Sequence, residues 1–396
     1  MRHANLSTVA LNADTISAAS KEWRDLFNSM RSGVSIVLVS PEQLTSKGFE
    51  RLVDDPDSVF TCRVCLLAVN EAHLMNMWGQ SFRQAFQEIG AMRARFPGRL
   101  PPTAVTATLQ DGAPMQSVCS FLRLQPGHYH FIHRSNSRLD IRLIFRTMKS
   151  GLSSTTFPEL HWVVKNKERR RILIFACTIS LGFCIMVNFW SLLSNDPSRA
   201  KQIRLFNAVN DKSYNDQTLA LWQSNDSDAQ IIIATSILSV GINASTFDDV
   251  IVYGEPPDSN EFVQDYGCLQ FMKSISPRAF LYMTRTAHSK AQKVMGNSNM
   301  VTSKPVPSGQ AASGDSMQPS MAKLIRALCK VTQLNELYGN PQDEPRCSCL
   351  VCADQPRPQP RSKCDCSGCQ KDDLDPKEGE ESNAEDSDTG ILLSCS

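Results

Sequence analysis

Two groups of residues in this chain have the types and spacing to do chemistry. Cys347-Ser348-Cys349-Leu350-Val351-Cys352 and Cys364-Asp365-Cys366-Ser367-Gly368-Cys369 both read C-x-C-x-x-C, downstream of an isolated Cys329. Tetrahedral zinc takes four thiolate or imidazole ligands, and C-x-x-C spacing turns two sulfurs toward one ion. Cys329 with Cys347, Cys349 and Cys352 makes one natural set of four, which leaves Cys364, Cys366 and Cys369 a ligand short unless Cys395 or a second chain supplies it. Disulfides or free surface thiols are the competing explanation. The lack of a secretion signal favours metal for the first set and leaves the second open. Zinc contributes about 10 to 16 kcal/mol in small peptides, enough to hold a segment too short to build its own core.

The second group is Asn70-Glu71-Ala72-His73, which ends the apolar run Val64 to Val69. Acidic residues at the carboxyl end of such a strand hold magnesium and orient water in nucleotide-hydrolysing sites. Here the first of them is an amide, and Glu71 is the carboxylate that remains. His73, Trp78, Phe82 and Arg83 follow on the connection to the next helix. Singly, Trp78 and Phe82 read as packing residues; together with Arg83 they can stack on unpaired bases and neutralise phosphates. The sequence contains no G-x-x-x-x-G-K-[ST] phosphate loop.

The elements that must position these residues alternate. Apolar runs predict strands at Ser35 to Val39, Val64 to Val69 and Thr103 to Thr108, and again at Ile172 to Phe175, Ile203 to Phe206, Ile231 to Ala234 and Val250 to Tyr253. Helical spacing marks Leu26 to Met30, Ser81 to Arg95 and Ala322 to Tyr338. Strands alternating with helices imply parallel sheets with right-handed crossovers, and the run at Val64 reads as buried on both faces. Gly241, after the Ile-rich strand and Thr235-Ser236, marks a close backbone approach. Asn297 to Gln318, rich in Ser, Gly, Pro and Asn, reads as a flexible linker.

A chain of 396 residues has room for two domains with separate cores. Its formal net charge of +1 hides an asymmetry, because Lys371 to Ser396 holds nine Asp or Glu against two Lys. A mildly basic body with an acidic tail is compatible with nucleic acid binding. Eight of the fourteen cysteines lie from Cys329 onward, and the sparse use before it is that of a reduced, intracellular protein. Ile172 to Leu193, behind the basic run Lys165 to Arg171, approaches the length of a membrane span. Thr178, Ser180, Asn188 and Ser191 interrupt it, so a strand followed by a capped helix is the better reading.

In this order the features resemble a RecQ-type DNA helicase of superfamily 2, in a form similar to divergent fungal copies, over roughly Thr8 to Cys352. Val39-Ser40-Pro41-Glu42 resembles the family's S-P-E element, Asn70-Glu71-Ala72-His73 its D-E-A-H box, and Trp78 to Arg83 its aromatic-rich loop. Thr106-Ala107-Thr108 matches its T-A-T motif, and Arg134 to Arg138 resembles the start of its second motor domain. Ile172 to Phe175 matches the fourth motif, Ala234-Thr235 with Gly241-Ile242-Asn243 resembles the fifth, and Gln264-Asp265-Tyr266-Gly267 begins the sixth.

The resemblance implies two RecA-like, P-loop NTPase-type parallel-sheet domains, the first incomplete, and a small helical zinc-binding subdomain. The implied boundaries are 1–122, 123–290, a linker 291–321, a Cys-rich subdomain 322–370 and an acidic disordered tail 371–396. It further implies ATP and Mg2+ near Glu71, His73, Gly241, Asn243 and Gln264, with Zn2+ on the cysteines. Single-stranded or forked DNA is the implied partner, met by Trp78, Phe82, Arg83, Thr106 and Thr235. No membrane association follows; 3′-to-5′ unwinding in nuclear recombination and repair does.

The departures from the family bear on turnover. Its phosphate loop lies upstream of the first matched motif, so the chain is expected to begin after it and its first domain to be the less stable. Asn70 and Asn243 replace aspartates, and Cys268, Leu269, Gln270 and Phe271 stand where arginines reach the γ-phosphate. An arginine finger is worth roughly 10³ to 10⁵ in rate in related enzymes. Three functions compete: an ATP-dependent helicase, a non-catalytic DNA-binding zinc module, and a decayed or mispredicted gene product.

Overall fold

The computed structural model describes residues 6–22, 24–31, 33–55, 58–77, 89–92, 95–96, 100–165, 170–224, 230–235, 247–269, 276–298, 317–342 and 363–370. The chain divides into two compact units, Met1–His133 and Arg134–Ser396. The first boundary thus falls some way beyond the expected 122, and the cysteine-bearing segment groups with the second unit.

In the first unit, β1 (Thr8–Leu11) pairs in parallel with β2 (Ile36–Val39), and β3 (Leu67–Asn70) pairs in parallel with β4 (Pro102–Val105). Short helices join them, and polar side chains cap some of these: Asp25 accepts from the amides of Phe27 and Asn28, and Ser46 from that of Phe49. Leu11, Met30, Phe49, Leu52, Val69, Met75 and Val118 share one core. The expected double burial of the Val64 run is corrected. Val64 ends the helix Val59–Arg63, and in β3 only Val69 is fully buried while Ala68 and Asn70 are exposed. Among the described residues β3 has a single neighbour, β4.

The second unit holds a six-stranded, all-parallel sheet in the order β5-β10-β9-β6-β8-β7. The strands are β5 (Arg142–Thr147), β6 (Ile172–Ala176), β7 (Ile203–Phe206), β8 (Ile231–Thr235), β9 (Asp249–Tyr253) and β10 (Arg278–Met283). Successive residues point to opposite faces and both faces are covered, which is why the strands read as unbroken apolar runs. Leu173, Phe175, Ile232, Val250, Val252 and Leu281 enter one core. Ile172, Ile174, Ile231, Ile233, Ile251 and Phe280 enter the other. The basic-flanked apolar stretch resolves into β6 and the helix Ile179–Leu192, whose N-cap Thr178 accepts from the amide of Leu181. Among the described residues no helix is long and apolar enough to cross a membrane.

Asp249 anchors the sheet's amino-terminal edge. Its fully buried carboxylate receives Arg170 through Nε (2.8 Å) and Nη2 (2.6 Å), and Arg278 through Nε (2.9 Å) and Nη2 (2.6 Å). Arg170 precedes β6 and Arg278 opens β10, so one side chain of the middle strand ties down both neighbours. Asp248 adds a bond from the amide of Arg171 at 2.8 Å.

The expected linker and terminal helix are also refined. The helix Ala287–Ser298 runs past residue 291, and the expected helix Ala322 to Tyr338 is two, Pro319–Arg326 and Lys330–Tyr338, with Cys329 as N-cap of the second. Gly339 closes that helix in the left-handed conformation (φ 59°). The pair is joined to the helix Ser259–Gly267 by Ser320 Oγ donating to Asp258 (2.6 Å) and Tyr338 OH donating to Asn260 (2.6 Å).

Two outcomes follow from this packing. In hydrogen exchange of the whole chain, amides of β1 to β4 exchange before those of β6, β8 and β9, and the reverse order would contradict the difference in burial. Asp249→Asn removes the charge that compensates the buried Arg170 and the half-buried Arg278, and lowers the unfolding free energy of the second unit by about 3 to 5 kcal/mol, measured by denaturant titration.

Candidate functional site

The carboxyl ends of β3 and β4 lie side by side, with Asn70 in register with Val105. The loops that leave them therefore meet. Ala72 donates its amide to Val105 O at 3.1 Å, which pulls Asn70-Glu71-Ala72-His73 over the neighbouring strand. His73 is 1% exposed, and its Nδ1 lies 2.8 Å from Thr106 Oγ1 and 3.3 Å from Glu71 Oε2. Thr106 Oγ1 also accepts from the amide of Thr108 at 3.3 Å. Glu71, His73 and Thr106 thus form one connected group.

Glu71 has φ of 54°, in the left-handed region that a non-glycine residue occupies at a cost of about 1 to 3 kcal/mol. Burial raises its carboxyl above the ordinary 4.5. A strained, partly desolvated carboxylate beside an imidazole can orient water or take a proton. The same residues fit a magnesium ion poorly, because Asn70 contributes an amide oxygen where two carboxylates would hold the ion.

In the second unit, Thr235 ends β8 and Gln264 lies half-buried on the helix Ser259–Gly267. Beyond that helix Leu269 is fully buried, and Cys268 Sγ approaches Asp265 O at 2.8 Å. Burial pushes the Cys268 thiol up to about 12. Arg138, itself gripped by Asp140 (2.9 and 2.7 Å), donates to the carbonyls of Gly267 and Leu269. The start of this unit is therefore fastened to the end of the helix Ser259–Gly267 and the residues just after it. The spacing Arg138-x-Asp140 is the only sequence sign of that bond. Trp78, Phe82, Arg83, Gly241 and Asn243 lie outside the described residues.

A second constellation forms near the carboxyl end. Cys329, Cys364, Cys366 and Cys369 place their sulfurs within 4.8 Å of one another, and Cys329 Sγ lies 3.6 Å from Cys364 Sγ. Bonds of about 2.3 Å to a tetrahedral ion separate sulfurs by about 3.8 Å, so the four thiols fit zinc. The structure thus joins Cys329 to the triplet that the spacing left one ligand short, while Cys347, Cys349 and Cys352 lie outside the described residues. Cys329 sits in the break between two helices, where its sulfur accepts from the amide of Thr332 (3.4 Å), and Cys366 Sγ accepts from that of Lys330 (3.4 Å). Burial acts to raise the Cys329 thiol, but bonds from Thr332 and the neighbouring thiols outweigh it and hold it down at about 7. Burial and the adjoining sulfurs push Cys364 up to about 11. A bound cation would stabilise thiolates gathered this closely.

Against known proteins, residues 155–267 match the model of the helicase conserved C-terminal domain. The ATP-dependent DNA helicase RecQ of Pasteurella multocida is 22% identical over 339 residues, 85% of this chain and 48% of that protein. The putative ATP-dependent DNA helicase Q1 of Caenorhabditis elegans is 24% identical over 272 residues, 67% of this chain and 40% of its own length. The chain spans about half the length of the first of these relatives. Among solved structures, helicase MrfA bound to DNA and AMPPNP has a TM-score of 0.53 at 14% identity, covering 75% of this chain and 40% of that one. Helicase Lhr of Mycobacterium smegmatis, bound to ssDNA and AMP-PNP, has 0.50 at 14%, covering 76% and 38%. The fold is accordingly the parallel-sheet α/β arrangement of RecA-like helicase domains.

The buried imidazole gives a direct check on the first constellation. Thr106→Val removes its hydroxyl partner and lowers the stability of the first unit by about 1 to 3 kcal/mol, read from its denaturant midpoint.

Proposed function

We propose that this chain, a RecQ-like homologue of the superfamily 2 DNA helicases, binds single-stranded or forked DNA and is impaired in ATP hydrolysis. The observation that carries this is the state of the site at the ends of β3 and β4. Glu71, His73 and Thr106 remain joined at 2.8 and 3.3 Å, while the adjacent cation ligand is Asn70. The group can still pass a displacement from one loop to the other, and it has lost the charge that holds a nucleotide's metal. Asn243 and the arginine-free segment Cys268 to Phe271 support the same direction.

In this proposal Trp78, Phe82, Arg83, Thr106 and Thr235 contact the DNA, with aromatic stacking and phosphate neutralisation supplying affinity. Gly241, Asn243 and Gln264 line what is left of the nucleotide site. Zinc, held by Cys329 with Cys364, Cys366 and Cys369, fixes the terminal helix pair. The 3′-to-5′ polarity, the nuclear location and roles in recombination and repair follow from the family resemblance alone.

Fluorescence anisotropy with labelled single-stranded DNA tests binding, which is expected to weaken steeply as salt rises. Phosphate release with magnesium and ATP tests turnover, expected at background with or without DNA. DNA-stimulated release that disappears in Glu71→Gln would overturn the impaired-enzyme reading, and no binding at low salt would overturn the DNA-binding one.

A further inference from the structure

The strand β5 ends the six-stranded sheet, with β10 on one side of it. In a parallel strand, alternate residues direct both N–H and C=O to the same side. Arg142 donates its amide to Pro277 O at 3.0 Å and Met148 to Met283 O at 2.8 Å, so residues 142, 144, 146 and 148 face β10. Leu143 and Phe145 face outward. Left bare, such a row of backbone groups is a template on which another chain can pair.

It is not bare. Ser367 donates its amide to Leu143 O at 2.9 Å, and Phe145 donates its amide to Ser367 Oγ at 3.0 Å. Arg142 Nε adds a bond to Asp365 O at 3.0 Å. Ser367 therefore stands where one residue of a further strand would stand, its hydroxyl doing the work of that residue's carbonyl. It belongs to the second C-x-C-x-x-C loop, between Cys366 and Cys369.

That loop is a turn with no regular pairing of its own beyond Cys369 and Gln370 donating to Cys366 O. Its seat is made by the sulfurs and by a glycine. Cys366 is fully buried in the core that also holds Leu143. At Gly368 an added Cβ would lie 1.6 Å from Leu328 O, so the loop's backbone rests directly on the residue before Cys329. The four thiols, in turn, can pack this closely as ligands of one cation, whereas several thiolates without one repel.

We propose that the Cys364–Cys369 loop is a metal-fastened cap on the open edge of the second sheet, and that loss of the metal uncovers β5. The inference rests on the zinc reading above, and adds to it a specific consequence at a named strand. Metal binding here does more than hold two helices. It closes the sheet edge that would otherwise be free to pair with a second copy.

The test is hydrogen exchange of the full chain, zinc-loaded and after chelation, with metal content measured on the same samples. Without metal the Phe145 amide is expected to exchange about tenfold faster or more, while Ile144 and Arg146, which face β10, keep their protection. Ser367→Ala keeps all four cysteines and should accelerate Phe145 with zinc content unchanged. Gly368→Ala should lower zinc content and accelerate Phe145 together. Zinc that binds and leaves without changing Phe145 would overturn the cap and spare the metal site. Equal acceleration across β5, β10 and β9 would also overturn it, since the metal would then act on global stability. A chain that binds no zinc would overturn the metal reading itself.

Discussion

One carboxylate sets the geometry on which the second unit depends. Asp249 lies at the start of the middle strand and is bound by two arginines, one just ahead of β6 and one opening β10. A buried ion pair is weak evidence of net stability, because desolvation offsets much of the attraction. Its contribution here is to registry. With five of six β10 residues paired to β9 from Asp249 onward, fixing the amino-terminal edge fixes where every strand emerges at the other end. That other end is where β8 finishes at Thr235.

The strands that were legible in sequence are those with unbroken apolar character. Ile203–Phe206 lies where the sequence reading places it, and β6, β8 and β9 differ by one residue. Three strands escape it, for identifiable reasons. β1 is four residues long in a polar surrounding. β5 (RLIFRT) and β10 (RAFLYM) carry arginines that break the pattern, and those arginines have buried partners. Arg278 goes to Asp249 and Arg146 reaches Tyr282 OH at 3.3 Å, neither of which can be inferred without the sheet order. The reading of Val64 to Val69 fails differently: composition indicates an apolar strand but not how many neighbours it has.

The candidate site shows the same division. The strands that lead to Asn70-Glu71-Ala72-His73 and Thr106-Ala107-Thr108 were legible as members of a parallel sheet, and that their carboxyl ends meet is given by the pairing of β3 with β4. The cysteines were legible as candidate metal chemistry, but which of them lie together was not. Spacing identifies two equivalent triplets, and the second is seated beside Cys329 by distant contacts that spacing does not reveal: Gly368 against Leu328, and Ser367 against β5. Cys329 also changes character, from a residue within one helix to the cap between two.

The proposed loss of hydrolysis and the retained fold are compatible because they rest on different atoms. Asn for Asp at position 70 changes a charge at the tip of β3 without altering volume, strand pairing or the bond from Ala72 to Val105 O. Nothing in the packing therefore opposes it. The imidazole of His73 is another matter, since it is buried and its hydroxyl partner comes from the next loop. Substitution there would leave a buried polar group to satisfy, at a cost the short strands of the first unit are poorly placed to absorb. Charge at the proposed nucleotide site can therefore be lost while the link between the two loops stays, because only the link is held in place by folding.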